Sequence, residues 1–262
     1  MNVYNRNVTS LNGYWKYIVD PYENGYYNYR YEPFDEQETP WKSAFFLNST
    51  QDDPSELLEY NFDLMDSLRV PGDWNTQKER LFYYEGTVWY KKSFEYQKSK
   101  ASNRVFLYFE AANYQADVYF NGTKLGTHVG GFTPFNFEVT ELLKAQDNFV
   151  VVKVDNKRVK EGIPTLNTDW WNYGGLTRDV KLVELGQQFV QDYFLRLDPN
   201  NNKRIVGHAQ LNGNNVAQQA LTLAIEELGI TQTVETDSAG RAQFCSGCHQ
   251  HRILVAYKSK AV

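Results

Sequence analysis

From Thr87 to Leu143 apolar and polar residues alternate along most of the chain, the period that sends successive side chains to opposite faces of a β-strand. In the segment ADVYFNG, Val118 and Phe120 share one face, and Asp117 and Tyr119 share the other. Asn121-Gly122 follows, the pair that most readily takes positive φ, so a tight hairpin turn is predicted there. Gly126, Gly130 and Gly131 punctuate the next strand, where a missing side chain permits a bend or a close backbone approach. Taken alone, this pattern predicts antiparallel β-structure with Val118 and Phe120 on the buried side.

The pattern changes twice. Residues 28–69 are polar and aromatic without period, and read as an insertion of loops with a short helix around 55–64. Asp53 is placed to cap that helix, with Pro54 at its first position. Beyond Gly186 the strands become shorter (FVQDYFLRLDP, RIVGHAQLNG, ALTLAIEELG, TQTVETD), with turn residues at Pro199–Asn202, Gly213–Asn215, Gly229 and Gly240. That spacing is typical of an immunoglobulin-like sandwich. Two domains are therefore expected, residues 1–185 and residues 186–262.

Composition narrows the function classes. Tyr, Trp and Phe make up 16% of the 262 residues, which suits strands and equally suits platforms on which sugars stack. The net charge of -5 and the lack of a Lys/Arg cluster exclude a nucleic-acid footprint. No apolar run approaches the roughly 20 residues of a membrane span. With no signal-peptide core before Asn12, the expected location is either cytoplasmic or exported and already processed, as in a periplasm.

The succession VWYKKSF, VYFNG and GGFTPFNFEVT closely resembles the amino-terminal sugar-binding domain of glycoside hydrolase family 2, the β-glucuronidases and β-galactosidases. Other segments agree in the family's order. LNGYWKYIVD (Leu11 to Asp20) is similar to its opening strand, VPGDWN (Val70 to Asn75) to the segment ahead of YEGTVWY, and NYGGLTRDVKLVEL (Asn172 to Leu185) to its closing strand. The resemblance implies an all-β protein: a jelly-roll, galactose-binding-like sandwich followed by an incomplete immunoglobulin-like sandwich. It also implies that whole enzymes of the family continue into a (β/α)₈ barrel of about 250 residues, which carries the catalytic carboxylates.

No catalytic residue is assigned in this chain. A retaining glycosidase needs two carboxyl groups about 5–5.5 Å apart on rigid supports. The adjacent pair Glu226-Glu227 lies in strand-like ALTLAIEEL, where neighbours point to opposite faces, and reads as a solvated strand end. Neither a metal nor a cofactor is expected.

By the resemblance, the loop before the closing strand, TLNTDWWNYGG, reaches the barrel's sugar pocket. Asp169 is then the candidate carboxylate, Trp170 and Trp171 the stacking surfaces, and Asn172 and Tyr173 hydrogen-bond donors; the competing reading has one Trp in the core and Asp169 capping a turn. A second candidate is RLFYYEG, with Tyr84 and Glu85. Its consecutive aromatics alternate faces, so at least one of Tyr83 and Tyr84 should be core. His128 in GTHVGGF reads as structural.

The tail CSGCHQH (Cys245 to His251) contains C-x-x-C-H, which fits haem attachment or, with its His residues, a zinc cluster. A third reading treats residues 244–262 as a frameshift product. Back-translated with chosen codons and read one nucleotide late, they become SVRVATNIEFWSPIKAKLY, which is similar to the family's LWSP(E/D)NPxLY segment near the end of its immunoglobulin-like domain. The cysteines would then be accidental and the last strands missing. Two functions follow: a non-catalytic portion of a family 2 enzyme, or a free-standing carbohydrate-binding or protein-interaction module. The implied partners are a β-linked glycoside or glycan, the catalytic barrel, and, as an option, a second copy in a homo-oligomer.

Overall fold

A computed structural model describes residues 1, 3–51, 53, 55 and 60–247. The chain divides into two compact units, Asn5–Glu184 and a second formed by Met1–Tyr4 with Leu185 onward.

The larger unit is a sandwich of two antiparallel sheets. Its strands are β1 (Asn7–Ser10), β2 (Gly13–Val19), β3 (Ser67–Val70), β4 (Thr87–Phe94), β5 (Arg104–Phe109), β6 (Gln115–Phe120), β7 (Thr123–Val129), β8 (Phe135–Glu138), β9 (Asn148–Asp155) and β10 (Val180–Leu185). One sheet runs β1-β10-β5-β8 and the other β3-β2-β4-β9-β6-β7. Between them lie Trp15, Tyr17, Val88, Tyr90, Val118, Phe120, Val150, Val152 and Val154 from the larger sheet, and Val105, Leu107, Phe109, Val180 and Leu182 from the smaller. Val118 and Phe120 are thus in the core, as the alternation predicts. Asn121 and Gly122 both take positive φ, at 49° and 83°, and close the β6–β7 hairpin. A bulge between Val118 and Tyr119 falls opposite Lys124–Gly126.

The other face of the larger sheet is buried as well. Ile18, Trp89, Tyr119 and Val151 meet Phe34, Ala44, Phe45, Phe46 and Phe62, which come from the segment between β2 and β3. This explains why β4 and β9 read as near-continuous apolar runs (TVWY, FVVV): a strand covered on both faces loses its polar side. The charges on this face are paired, each pair with one buried member. Lys91 bonds Asp63 at 2.8 Å, Lys153 bonds Glu23 at 2.9 Å with Asp117 at 3.6 Å, and Lys124 bonds Asp35 at 2.7 Å.

The expected helix of the insertion falls largely outside the described residues. Where it is described, Asp53 accepts hydrogen bonds from the Ser55 N–H and hydroxyl, and Phe62–Leu64 is a single 3₁₀ turn capped by Asn61. Residues 67–69, read with the insertion, instead begin β3 and pair with β2.

The smaller unit contains β11 (Phe189–Asp198), β12 (Asn201–Asn212), β13 (Ala220–Ile225), β14 (Ile230–Glu235) and β15 (Arg241–Gly247), arranged as a three-stranded sheet β11-β12-β15 and a hairpin β13-β14. Ile205 and Ile230 form one small core with Leu195; Ala209, Ala242 and Phe244 form another with Leu221, Leu223 and Val234. Glu226 and Glu227 are exposed, but they occupy the 3₁₀ turn between β13 and β14, because β13 ends at Ile225 and Gly229 turns the chain back. Phe244, where the frameshifted reading begins, is buried in the sheet, and Cys245 is exposed on β15. Cys248, His249 and His251 lie outside the described residues, and with them the C-x-x-C-H reading. Among the described residues no group of three His, Cys, Asp or Glu side chains could hold a metal ion, and no helix is long and apolar enough to cross a membrane.

Candidate functional site

At one end of the sandwich the loop between β9 and β10 meets the loop that precedes β4. A frame of asparagines beneath the surface fixes this junction. Asn75 follows Asp73, whose carboxylate caps the short helix α1 (Trp74–Gln77) by accepting the Thr76 N–H at 2.7 Å. The Asn75 amide donates to the carbonyls of Leu81, Phe82 and Tyr84 and accepts the Gly174 N–H at 3.0 Å. Asn156, at the end of β9, accepts the Gly86 N–H at 2.8 Å and donates to the Asn172 carbonyl at 2.7 Å. Asn113 donates to the Asn172 side-chain oxygen at 2.9 Å and to the Tyr173 carbonyl at 2.6 Å. Gly174 is needed because the Trp74 indole lies against it: a Cβ there would sit 2.0 Å from the ring. All of these bonds except the one between the Asn113 and Asn172 side chains satisfy a backbone group, and leaving such a group buried and unpaired costs about 1–3 kcal/mol, so the base of both loops is rigid.

Above this frame the two loops expose an aromatic cluster. Trp170 is 66% exposed and Trp171 39%, and Asp169 beside them is exposed too. The Trp171 ring lies 4.9 Å from Phe82, 5.4 Å from Tyr83 and 6.3 Å from Tyr173 between centroids. Contiguous rings open to water are a feature common to interaction surfaces. Arg158 crosses between the loops, with Nε 2.9 Å from Glu85 and Nη1 3.0 Å from the Thr168 carbonyl.

The structure separates the residues singled out from sequence. Asp169, Trp170, Trp171 and Tyr173 lie together at the surface. Asn172 does not: it is 3% exposed, and its side chain is engaged with Asn113 and the Asn156 carbonyl, so its role is to hold the loop rather than to donate to a ligand. Tyr84 is likewise turned inward. Its ring packs near Trp74, its hydroxyl donates to the Thr87 carbonyl at 2.9 Å, and burial pushes its phenol above the ordinary value. Its neighbour Tyr83 takes the outward position at 82% exposed; Phe82 and Tyr83 lie in a turn ahead of β4 rather than in a strand, and both rings face out. Glu85 is committed to the ion pair with Arg158. His128 stacks on Phe135 at 4.1 Å and pairs with the Thr133 hydroxyl at 3.1 Å, a structural placement. Phe82, Tyr83, Arg158 and the asparagine frame were not anticipated. The three-aromatic run FYY was the available signal for Tyr83, whereas pairing between residues 75, 113, 156 and 172 has no local signature.

Residues 8–186 match the sugar binding domain of glycosyl hydrolases family 2. The chain belongs to that family. Among its curated relatives, a "Putative beta-glucuronidase" of Formosa agariphila is 34% identical over 130 residues, 48% of this chain and 16% of the relative. A "Beta-glucuronidase" of Paenibacillus borealis is 26% identical over 228 residues, 78% of this chain and 33% of the relative. Among solved structures, the apo β-glucuronidase of Ruminococcus gnavus superposes with a TM-score of 0.70 at 21% identity, covering 95% of this chain and 40% of that one. The Bifidobacterium dentium enzyme, solved with coumarin-3-O-glucuronide, gives 0.67 at 24%, covering 95% and 43%. These likenesses show the fold, an all-β sandwich, and this family 2 chain spans less than half the length of each of these proteins.

Proposed function

We propose that this chain supplies the non-catalytic, sugar-facing edge of a family 2 glycoside hydrolase of β-glucuronidase or β-galactosidase type, and braces a catalytic barrel carried elsewhere in the whole enzyme. The observation that supports this reading is the exposure of Asp169 beside Trp170, Trp171 and Tyr173 on a loop whose base is rigidly bonded. A pyranose presents C–H faces to indole rings and hydroxyls to a carboxylate, so such a grouping suits a sugar ring. Asp169 accepts hydroxyl hydrogens, Trp170 or Trp171 covers one face of the ring, and the Tyr173 hydroxyl is available to donate.

Ligand-observed NMR of the 262-residue chain with methyl β-D-glucuronide and methyl β-D-galactoside tests this. The expected result is binding no tighter than about 1 mM, since one edge of a pocket makes few of the contacts that bury a monosaccharide. Asp169→Ala should weaken it by about 1–3 kcal/mol through a lost charge-assisted hydrogen bond. Binding by the wild type that Asp169→Ala leaves unchanged would remove Asp169 from the site. Affinity well below 1 mM would favour the alternative, a free-standing carbohydrate-binding module whose site is complete within this chain.

A further inference from the structure

Arg158 uses its guanidinium almost completely within the fold. Nε donates to both carboxylate oxygens of Glu85, at 2.9 and 3.2 Å. Nη1 donates to the Thr168 carbonyl at 3.0 Å and to its hydroxyl at 2.7 Å, and Nη2 to the Trp170 carbonyl at 3.2 Å. Those two carbonyls bracket the pair Asp169-Trp170. Holding the peptide group at each end of this pair restricts the directions in which the two side chains leave the backbone.

The rest of the loop is held by short-range bonds, from the Thr165 hydroxyl to the Lys160 carbonyl and from the Thr168 hydroxyl to the Thr165 carbonyl. Those bonds bend the segment upon itself, whereas the guanidinium ties it to the loop before β4. Glu85 makes this arrangement possible. A guanidinium spent on carbonyls keeps its full charge, and the Glu85 carboxylate, both of whose oxygens share the Nε–H, balances that charge next to a partly covered loop.

We infer that Arg158, with Glu85 as its counter-charge, is a positioning residue that holds the 165–171 loop so that Asp169 and Trp170 face outward. The consequence for binding rests on the proposed reading of Asp169 as the ligand-facing carboxylate; the ordering of the loop does not. With its donors committed internally, Arg158 is a strut and not an anion receptor.

Limited proteolysis of the full 262-residue chain with chymotrypsin reads loop order directly, because Leu166, Trp170 and Trp171 are cleavage sites within the loop. Arg158→Ala should raise cleavage there by about tenfold, the shift in local opening expected from losing one to two charge-assisted hydrogen bonds, while the thermal midpoint of the chain stays near wild type. Arg158→Lys should not restore protection, since a point-charge ammonium cannot span Glu85, Thr168 and Trp170 together. Should Arg158→Ala fail to fold, Glu85→Gln carries the test, again with faster cleavage expected.

Cleavage at the wild-type rate in these variants, full protection in Arg158→Lys, or a thermal midpoint that falls together with loop protection would overturn the assignment. The same variants, titrated with methyl β-D-galactoside, separate the two claims. Faster cleavage with weaker sugar binding supports both. Faster cleavage with unchanged binding leaves the strut standing and overturns the sugar-site reading.

Discussion

Glu184 shows how much one side chain can organise. It sits on β10 at the edge of the core and accepts hydrogen bonds from Asn7, the Tyr96 hydroxyl, the Ser99 N–H and hydroxyl, the Lys100 N–H and the Asn103 amide. Burial by itself would raise its pKa; the donors from Ser99, Asn103 and Tyr96 outweigh burial and bring it down to about 2 from 4.5. A carboxyl with a depressed folded-state pKa contributes stability that is complete above its unfolded value and is lost as pH falls through the folded one. Roughly 3 kcal/mol should therefore disappear between about pH 4.5 and pH 2. Urea unfolding across that range should show it, and Glu184→Gln should flatten this part of the acid limb while lowering stability at pH 7. Gly174 tests packing in the same way. Gly174→Ala drives a methyl into the Trp74 indole, and a loss at the upper end of about 1–3 kcal/mol is expected by thermal or urea unfolding.

Among the elements, the segment between β2 and β3 matters beyond its irregular appearance. It brings Phe34, Phe45, Phe46 and Phe62 onto the outer face of the larger sheet, where Phe46 stacks on Tyr119 at 4.5 Å and Phe45 meets Trp89 edge-on at 5.6 Å. Its fixation also depends on charge: Glu23 and Asp35 reach Lys153 and Lys124 of the sheet, and Asp35 accepts the Tyr119 hydroxyl at 2.6 Å. Phe45→Ala should cost about 3–5 kcal/mol in unfolding free energy, the range for deleting a large buried ring. If the loss is under about 1 kcal/mol, the insertion is a loose cover rather than part of the core. Glu23→Ala should be costly for a different reason, because it removes the nearest counter-charge of the buried Lys153 and leaves it Asp117 at 3.6 Å and the Tyr26 ring at 4.4 Å.

At the scale of the whole molecule, the described residues form two β units, with the candidate site on the larger one. Glu226 and Glu227, the pair closest in sequence to a catalytic dyad, sit exposed in a turn. On the proposed reading, with the catalytic barrel carried elsewhere in the whole enzyme, the purified 262-residue chain is expected to give no turnover of aryl β-glucuronides or β-galactosides above the uncatalysed rate, as followed by release of the chromogenic aglycone. Robust turnover would place a catalytic carboxylate pair within this chain and overturn that reading. Self-association through the exposed cluster of Phe82, Tyr83, Trp170 and Trp171 is a separate question, which sedimentation of the same sample answers.

Alternation, turn residues and motif order in the sequence were enough to determine most of the strands (not β3, nor the end of β13), the β6–β7 hairpin, the buried face of Val118 and Phe120, and membership of family 2, because these depend on contacts between residues near in sequence or on a fixed succession of segments. The exposure of the loop around Asp169 could be anticipated from the same succession. Tertiary structure decided the rest. Whether Tyr83 or Tyr84 faces outward depends on the phase at which the turn before β4 meets Trp74, which no local period encodes. Asn172 was assigned to the ligand although its side chain completes a frame with Asn113 and Asn156, 59 and 16 residues away in sequence. The insertion lacked periodicity because its aromatic residues pack on a sheet face from irregular backbone, where neither the 2.0 nor the 3.6 repeat applies. Arg158 has no local signature in the sequence; folding places a carboxylate and two loop carbonyls around it, and a hydrogen-bond geometry of that kind exists only once the distant segments have met.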